Sequence, residues 1–240
     1  MGKMGKNDQF DVQIVPILRH PAELPETAGE RLFCPAFGGH PADRAEYLAL
    51  LPVQDSNGRL LAALAEMPLP GLPDGVPEDV CVGVLAVDPF RPAGPLLESL
   101  RRAGVRAVAN FPTTALFDGE TGETLAGVGL GAEREASFLE QAAQAGFAVT
   151  GFAADAATGR RLRAAGAARL VLHPGAATGD PSRDAEAAAN AAMAAAALRR
   201  EGGGPVLVYR PAGFEEHHGI LAREADGLVV LPGAHHSSSP

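Results

Sequence analysis

Tryptophan is absent from this 240-residue chain, and aromatic residues make up only 5% of it. Hydrophobic residues reach 46%, so a sizeable core has to come mostly from Ala, Leu and Val. Basic residues are also few: 20 Lys and Arg stand against 29 Asp and Glu, for a formal net charge of −9. That balance argues against non-specific nucleic-acid binding and against anionic membranes, both of which want basic patches. A small anionic ligand is still admissible, because a local pair of arginines outweighs the global field. Cysteine is limited to Cys34 and Cys81, with no CxxC and no histidine pair nearby. Both read as buried free thiols. No apolar run approaches the roughly 18 residues of a membrane span. The opening MGKMGKNDQF lacks the apolar centre of a signal peptide. These absences predict a soluble, cytoplasmic protein.

What is present is a rhythm. Short continuous apolar runs occur at Val12–Ile17, Leu32–Pro35, Val80–Val87, Val105–Asn110, Phe147–Gly151, Arg169–His173, Val206–Tyr209 and Leu228–Leu231. Continuous rather than alternating runs mark strands covered on both faces, as in parallel sheets. Helical patterns lie at Pro92–Ala103, Glu133–Ala145, Asp155–Ala165, Pro181–Glu201 and Phe214–Ala225. They favour acidic starts, basic last turns and glycine stops. The pattern predicts an α/β fold, a (β/α)8 TIM barrel, formed as one domain over 11–233 between flexible ends at 1–10 and 234–240. No GxGxxG follows the first strand, which weakens a doubly wound alternative. The stretch LRHPAELPETAGER leaves no room for a full first helix, and too little chain follows Leu231 for a last one. A barrel trimmed in this way exposes its seam, so a homo-oligomer or a partner chain covering it is expected. Pro68–Pro77 reads as a proline-rich loop.

Barrel sites sit on loops that follow strand C-termini. Asp88, in VDPFRP, suits a divalent metal or a substrate hydroxyl, and equally a cap on the next helix. Arg91 offers a two-pronged clamp for a carboxylate or phosphate, or a surface ion pair. His173, ending LVLH, suits a general acid/base, or a structural hydrogen bond at the mouth. Arg210 and Gly213 after the seventh strand, with Gly233 after the eighth, fall where barrels often bind phosphate. Asn110 closes the fourth strand ahead of Phe111, Pro112, Thr113 and Thr114, which form either a rigid connection or the rim of a site.

LALLPVQDSN (Leu48–Asn57), VLAVDPFRP (Val84–Pro92), GVRAVANFPTTALFDGE (Gly104–Glu120) and LRAAGAARLVLHPGAATGD (Leu162–Asp180) together resemble motifs of the phosphoenolpyruvate hydrolase-like family, also called TIM-barrel signal-transduction proteins. The counterparts are close to LLPYGDAN, GTDPFR, GVQNFPTVGLIDG and AGADIIVAHMGLT. The resemblance runs in order from Leu32 to Gly213. It implies a TIM barrel related to phosphoenolpyruvate mutase and isocitrate lyase. It also implies hydrolase or lyase chemistry on C–C or P–O bonds of small oxo-acids, with Mg²⁺ as the implied cofactor and Asp88 as its ligand. Asn110 and Thr113 would then face the site and donate to an oxyanion. The chain departs from the family in four places. PILRHPAELP replaces a glycine-rich first turn, and PAFGGHPADR replaces IYNSGRYR. Leu125–Gly131 carries none of the paired glutamates of EETGMGY, although Glu133 and Glu135 remain. Arg210-Pro211-Ala212-Gly213 replaces a histidine-glycine-glycine. These losses keep open a non-catalytic barrel that binds a ligand or a partner.

Overall fold

The computed structural model describes residues 12–67, 76–117 and 119–232. The expected terminal segments 1–10 and 234–240, Gly233, and Pro68–Pro77 apart from Val76 and Pro77 lie outside the described residues. Eight strands form a closed, all-parallel barrel in chain order. They are β1 (Gln13–Leu18), β2 (Arg31–Phe33), β3 (Val80–Val84), β4 (Ala107–Asn110), β5 (Ala148–Ala153), β6 (Arg169–Leu172), β7 (Val206–Arg210) and β8 (Gly227–Val230). Closure comes from β1 pairing with β8, Gln13 opposite Gly227 through Pro16 opposite Val230.

Each strand alternates its side chains between two cores. Val15 and Ile17 point inward with Leu32, Cys34, Phe111, Phe152, Val171, Leu207 and Tyr209. Leu18, Phe33, Val82, Val108 and Leu170 point outward against the helices. This two-sided burial is the reason the strands read as unbroken apolar runs. On the outside of β1, Ile14 is 47% exposed.

Helices α3 (Ala93–Arg102), α5 (Ala132–Gln144), α6 (Ala156–Ala164) and α7 (Pro181–Glu201) follow the expected pattern. Asp155 caps α6 by accepting from Thr158 N at 2.7 Å, and Asp180 caps α7 by accepting from Ser182 N at 2.9 Å. In α7, Ala188, Ala191, Ala195 and Leu198 share the buried face at helical spacing. The seventh crossover ends in a 3-10 turn at Glu215–His217 and a short α8 (His218–Ala222), less helix than its sequence pattern predicts. The first crossover holds only a 3-10 turn at Pro21–Glu23, as the two prolines require.

Three helices had no clear sequence signal: α1 (Ala45–Leu50), α2 (Ser56–Ala65) and α4 (Gly119–Gly127). The first is under two turns, and the last carries glycines at 119, 122 and 127, each costing about 1 kcal/mol of helix propensity. Gly83 in β3 permits a close crossing. A Cβ there would sit 2.6 Å from the Phe111 carbonyl oxygen and 3.3 Å from Cys34 Cβ. The missing side chain lets the chain leave β4 over β3, toward the strand ends that carry the polar residues.

Candidate functional site at the C-terminal mouth

Three polar clusters form where strands end. The first surrounds Glu135, in the first turn of α5. It is 1% exposed. Asn110 Nδ2 donates to its Oε2 at 3.0 Å, Thr113 Oγ1 donates to the same oxygen at 3.1 Å, and Thr114 N donates to Oε1 at 2.8 Å. Asn110 also acts as a substitute ladder residue, donating to the Phe152 carbonyl at 3.0 Å and accepting from Phe152 N at 2.7 Å. Burial pushes the Glu135 carboxyl up to about 7, against the pull of these donors. A cavity of about 190 Å³ opens beside it, lined by Thr114, Phe117, Leu125, Phe152 and Thr158 among others. Asn110 and Thr113 were expected to offer donors to a ligand. Their donors are instead committed to Glu135 and β5, because a buried carboxylate demands them first.

The second cluster lies at the ends of β6 and β7. His173, 1% exposed, pairs through Nε2 with Glu46 Oε1 at 2.8 Å, and its Nδ1 accepts from Gly175 N at 2.9 Å. The Gly175 amide fixes the neutral tautomer: the proton sits on Nε2 and points at the carboxylate. Glu46 rides on α1, which follows β2 and lies over the mouth. Ala45 and Ala49 of α1 pack into the inner core with Tyr209 and Leu231. Tyr47 meets the ring of Phe117 at a centroid distance of 5.9 Å. Tyr209 is 4.9 Å from the His173 ring. Burial, then the Glu46 charge, holds the Tyr209 hydroxyl well above the usual tyrosine range. Phe37, Phe111 and Phe152 complete an aromatic layer beneath. Arg210, next to Tyr209, has a buried Nε without a hydrogen-bond partner, and its Nη1 is 3.5 Å from His218 Nδ1.

The third cluster holds Asp88. Its Oδ2 accepts from Asn57 Nδ2 at 2.9 Å and its Oδ1 from Phe90 N at 2.8 Å. Asn57, 1% exposed, also donates to Leu85 O and accepts from Leu85 N, both at 3.0 Å. Asp88 thus ties its own loop and does not cap the next helix, whose N-cap is Pro92 without a side-chain cap. Arg91 forms an ion pair with Asp55, the cap of α2, which also accepts from Gly58 N at 2.7 Å. The Arg91 hydrogen bond draws the Asp55 carboxyl below its ordinary value. Removing Asn57 unlocks this loop. Asn57→Ala is expected to cost about 2–4 kcal/mol in urea unfolding, since a buried amide with three partners is lost and Leu85 N–H stays buried without an acceptor.

The expected residues therefore divide among separate clusters. His173 stands with Glu46 and Tyr209 in one, Asn110 and Thr113 share another, Asp88 and Arg91 a third, and Arg210 turns instead to His218. Gly213 adopts φ 91°, and its N–H donates to Glu215 Oε2 at 3.0 Å, so an acid occupies the place an anion was expected to take. Among the described residues no group of three or more His, Cys, Asp or Glu gathers for a metal. Each oxygen of Asp88 accepts one hydrogen bond, which leaves it lone pairs for a hydrated Mg²⁺, while the acidic cluster of an all-protein cation site is absent among the described residues. No described helix is long and apolar enough to cross a membrane.

Glu46 and Tyr209 carry no sequence signal, and Glu135 stands out there only together with Glu133. Glu135 looked like Glu133, a helix-start acid matched to the dipole. Yet Glu133 has a side chain 89% exposed while Glu135 is buried.

Residues 41–200 match the family described as phosphoenolpyruvate hydrolase-like. The chain is 35% identical over 135 residues to the uncharacterized protein y4oT of Sinorhizobium fredii, covering 55% of this chain and 66% of that protein. It is 34% identical over 134 residues to the ToMV resistance protein Tm-1(GCR237) of Solanum lycopersicum, covering 56% of this chain and 17% of that protein. The chain thus spans less than two thirds of either relative. Solved structures share the barrel at low identity. FabK from Thermotoga maritima aligns with a TM-score of 0.51 at 13% identity, over 93% of this chain and 60% of FabK. A Burkholderia cenocepacia protein assigned as a phosphonomutase aligns with a TM-score of 0.50 at 15% identity, over 91% of this chain and 84% of that one. These two show the fold alone. The family match spans two thirds of the sequence, and the chain belongs to the phosphoenolpyruvate hydrolase-like family.

Proposed function

We propose that this barrel is an acid–base enzyme acting on a small oxo-acid, with hydrolase or lyase chemistry on a C–C or P–O bond. The observation that carries this reading is the buried Glu46–His173 pair beside Tyr209, at the mouth where barrel enzymes work. Burying an ionisable pair costs several kcal/mol per charge, and well-packed apolar side chains would stabilise the same place better. Such a cost concentrated at a barrel mouth points to chemistry. In this reading Glu46 orients the imidazole and stabilises its protonated form, and His173 moves a proton at Nδ1 once Gly175 N–H yields it. Arg210, which ends β7, turns from His218 to hold the substrate carboxylate or phosphate. Turnover requires α1 to lift, because both His173 and Glu46 are enclosed in the form described.

Proton NMR of the purified chain with phosphoenolpyruvate, oxaloacetate and pyruvate tests this directly. Turnover of one of them by the wild type, lost in His173→Gln, is the expected result. No turnover, together with no thermal stabilisation by any of the three, would remove the enzymatic reading. The closure of the mouth by α1 favours the second reading in that event: a binding barrel whose polar cluster only anchors the lid.

A further inference from the structure

Among the described residues nothing closes the other mouth of the barrel. A cavity of about 320 Å³ enters from the N-terminal ends of the strands. Its origin lies in the residue sizes on three consecutive strands. TIM-barrel interiors are usually filled by bulky branched side chains. Here Cys81 of β3, Ala107 of β4 and Thr150 of β5 line the cavity instead, and Cys81 stands opposite Ala107 in the ladder. The inner end is apolar, closed by Phe152, Val171, Leu207 and Val229.

The rim is charged but internally matched. Arg31 pairs with Asp79 at 2.6 Å, and Arg169 pairs with Glu30 at 2.7 Å. Glu78 pairs with Arg106. Among the described residues each acid on the rim has its own cation, so they present no spare charge of either sign. Arg31 is only 5% exposed, uses Nη1 on the Thr27 carbonyl and Nη2 on Asp79, and has its Nε buried away from the opening.

We infer that this N-terminal mouth is a binding site for a small neutral, mainly apolar molecule, its body held inside the barrel against Cys81, Ala107 and Thr150. A dry cavity of about 150 Å³ takes benzene, so this one, about twice as large, suits roughly a dozen non-hydrogen atoms. The matched rim disfavours a charged head group, which would have to break one of the ion pairs. The site lies at the opposite end of the barrel from His173 and stands whether or not the chemistry proposed there is found.

The test titrates the full chain with 2-nonanone, nonylamine and nonanoate by calorimetry, with melting curves in parallel. The expected result is saturable binding of one 2-nonanone per chain and a rise in melting temperature, with the amine and the acid weaker. Ala107→Leu fills the cavity from β4 and is expected to abolish binding while keeping the circular dichroism of the wild type. The proposal is overturned if 2-nonanone does not bind, if Ala107→Leu binds it unchanged, or if either charged probe binds more tightly.

Discussion

Glu135→Gln will flatten the pH dependence of stability between about pH 4.5 and 7. In the folded protein burial pushes this carboxyl up to about 7, against 4.5 in an unconstrained chain. The fold therefore binds the proton more tightly than the unfolded state does. The stabilisation from this group is complete below pH 4.5 and is lost as pH rises through 7. The gap corresponds to about 3 kcal/mol at about 1.36 kcal/mol per unit. Urea unfolding of wild type and Glu135→Gln across this range isolates the group, because every other titration is common to both. Parallel curves would mean that Glu135 does not titrate there. The same poise bears on function: near neutral pH this carboxyl is close to half protonated beside a cavity at the catalytic face of the fold.

The second large effect is expected at Glu46. Glu46→Ala removes the acceptor for His173 Nε2–H and should destabilise by about 1–3 kcal/mol, the penalty for a buried donor left unsatisfied. Glu46→Gln keeps a carbonyl acceptor and should cost about 1 kcal/mol in stability. The double variant Glu46→Leu with His173→Phe separates structural need from function. If the pair is retained for chemistry, the double variant should be as stable as wild type or more so, and inert toward any substrate. A double variant as unstable as Glu46→Ala would show that the pair anchors α1 in a way that packing cannot replace. Chemical unfolding of the three variants settles the order.

The barrel was legible because its strands are short, buried on both faces and separated by capped helices. Val80–Val87, for example, held β3 with a small overrun, since Leu85 to Val87 are as apolar as the strand itself but already belong to the loop locked by Asn57. The inner site was less legible. Phe-Pro-Thr after Asn110 was correctly marked as unusual, yet its partner Glu135 lies 25 residues away on a helix start full of acids. Glu46 was harder still. Its helix is six residues long, too short for periodicity to register, and its partner His173 is 127 positions away. Pairings across that distance are decided by which strand ends face one another around the barrel, and local sequence carries no record of that.

Closure of β1 on β8 has a consequence for how the chain reaches this state. The contacts that seal the barrel join residue 13 to residue 227, so the longest chain loop must close before the inner core is complete. Proteins dominated by such distant pairings fold slowly. Until Gly227–Val230 is in place, β7 and β1 each present an unpaired parallel edge, a template for pairing with another chain. During synthesis β1 must wait until residue 230 has emerged from the ribosome, and keeping that strand from foreign partners in the interval is a task for chaperones.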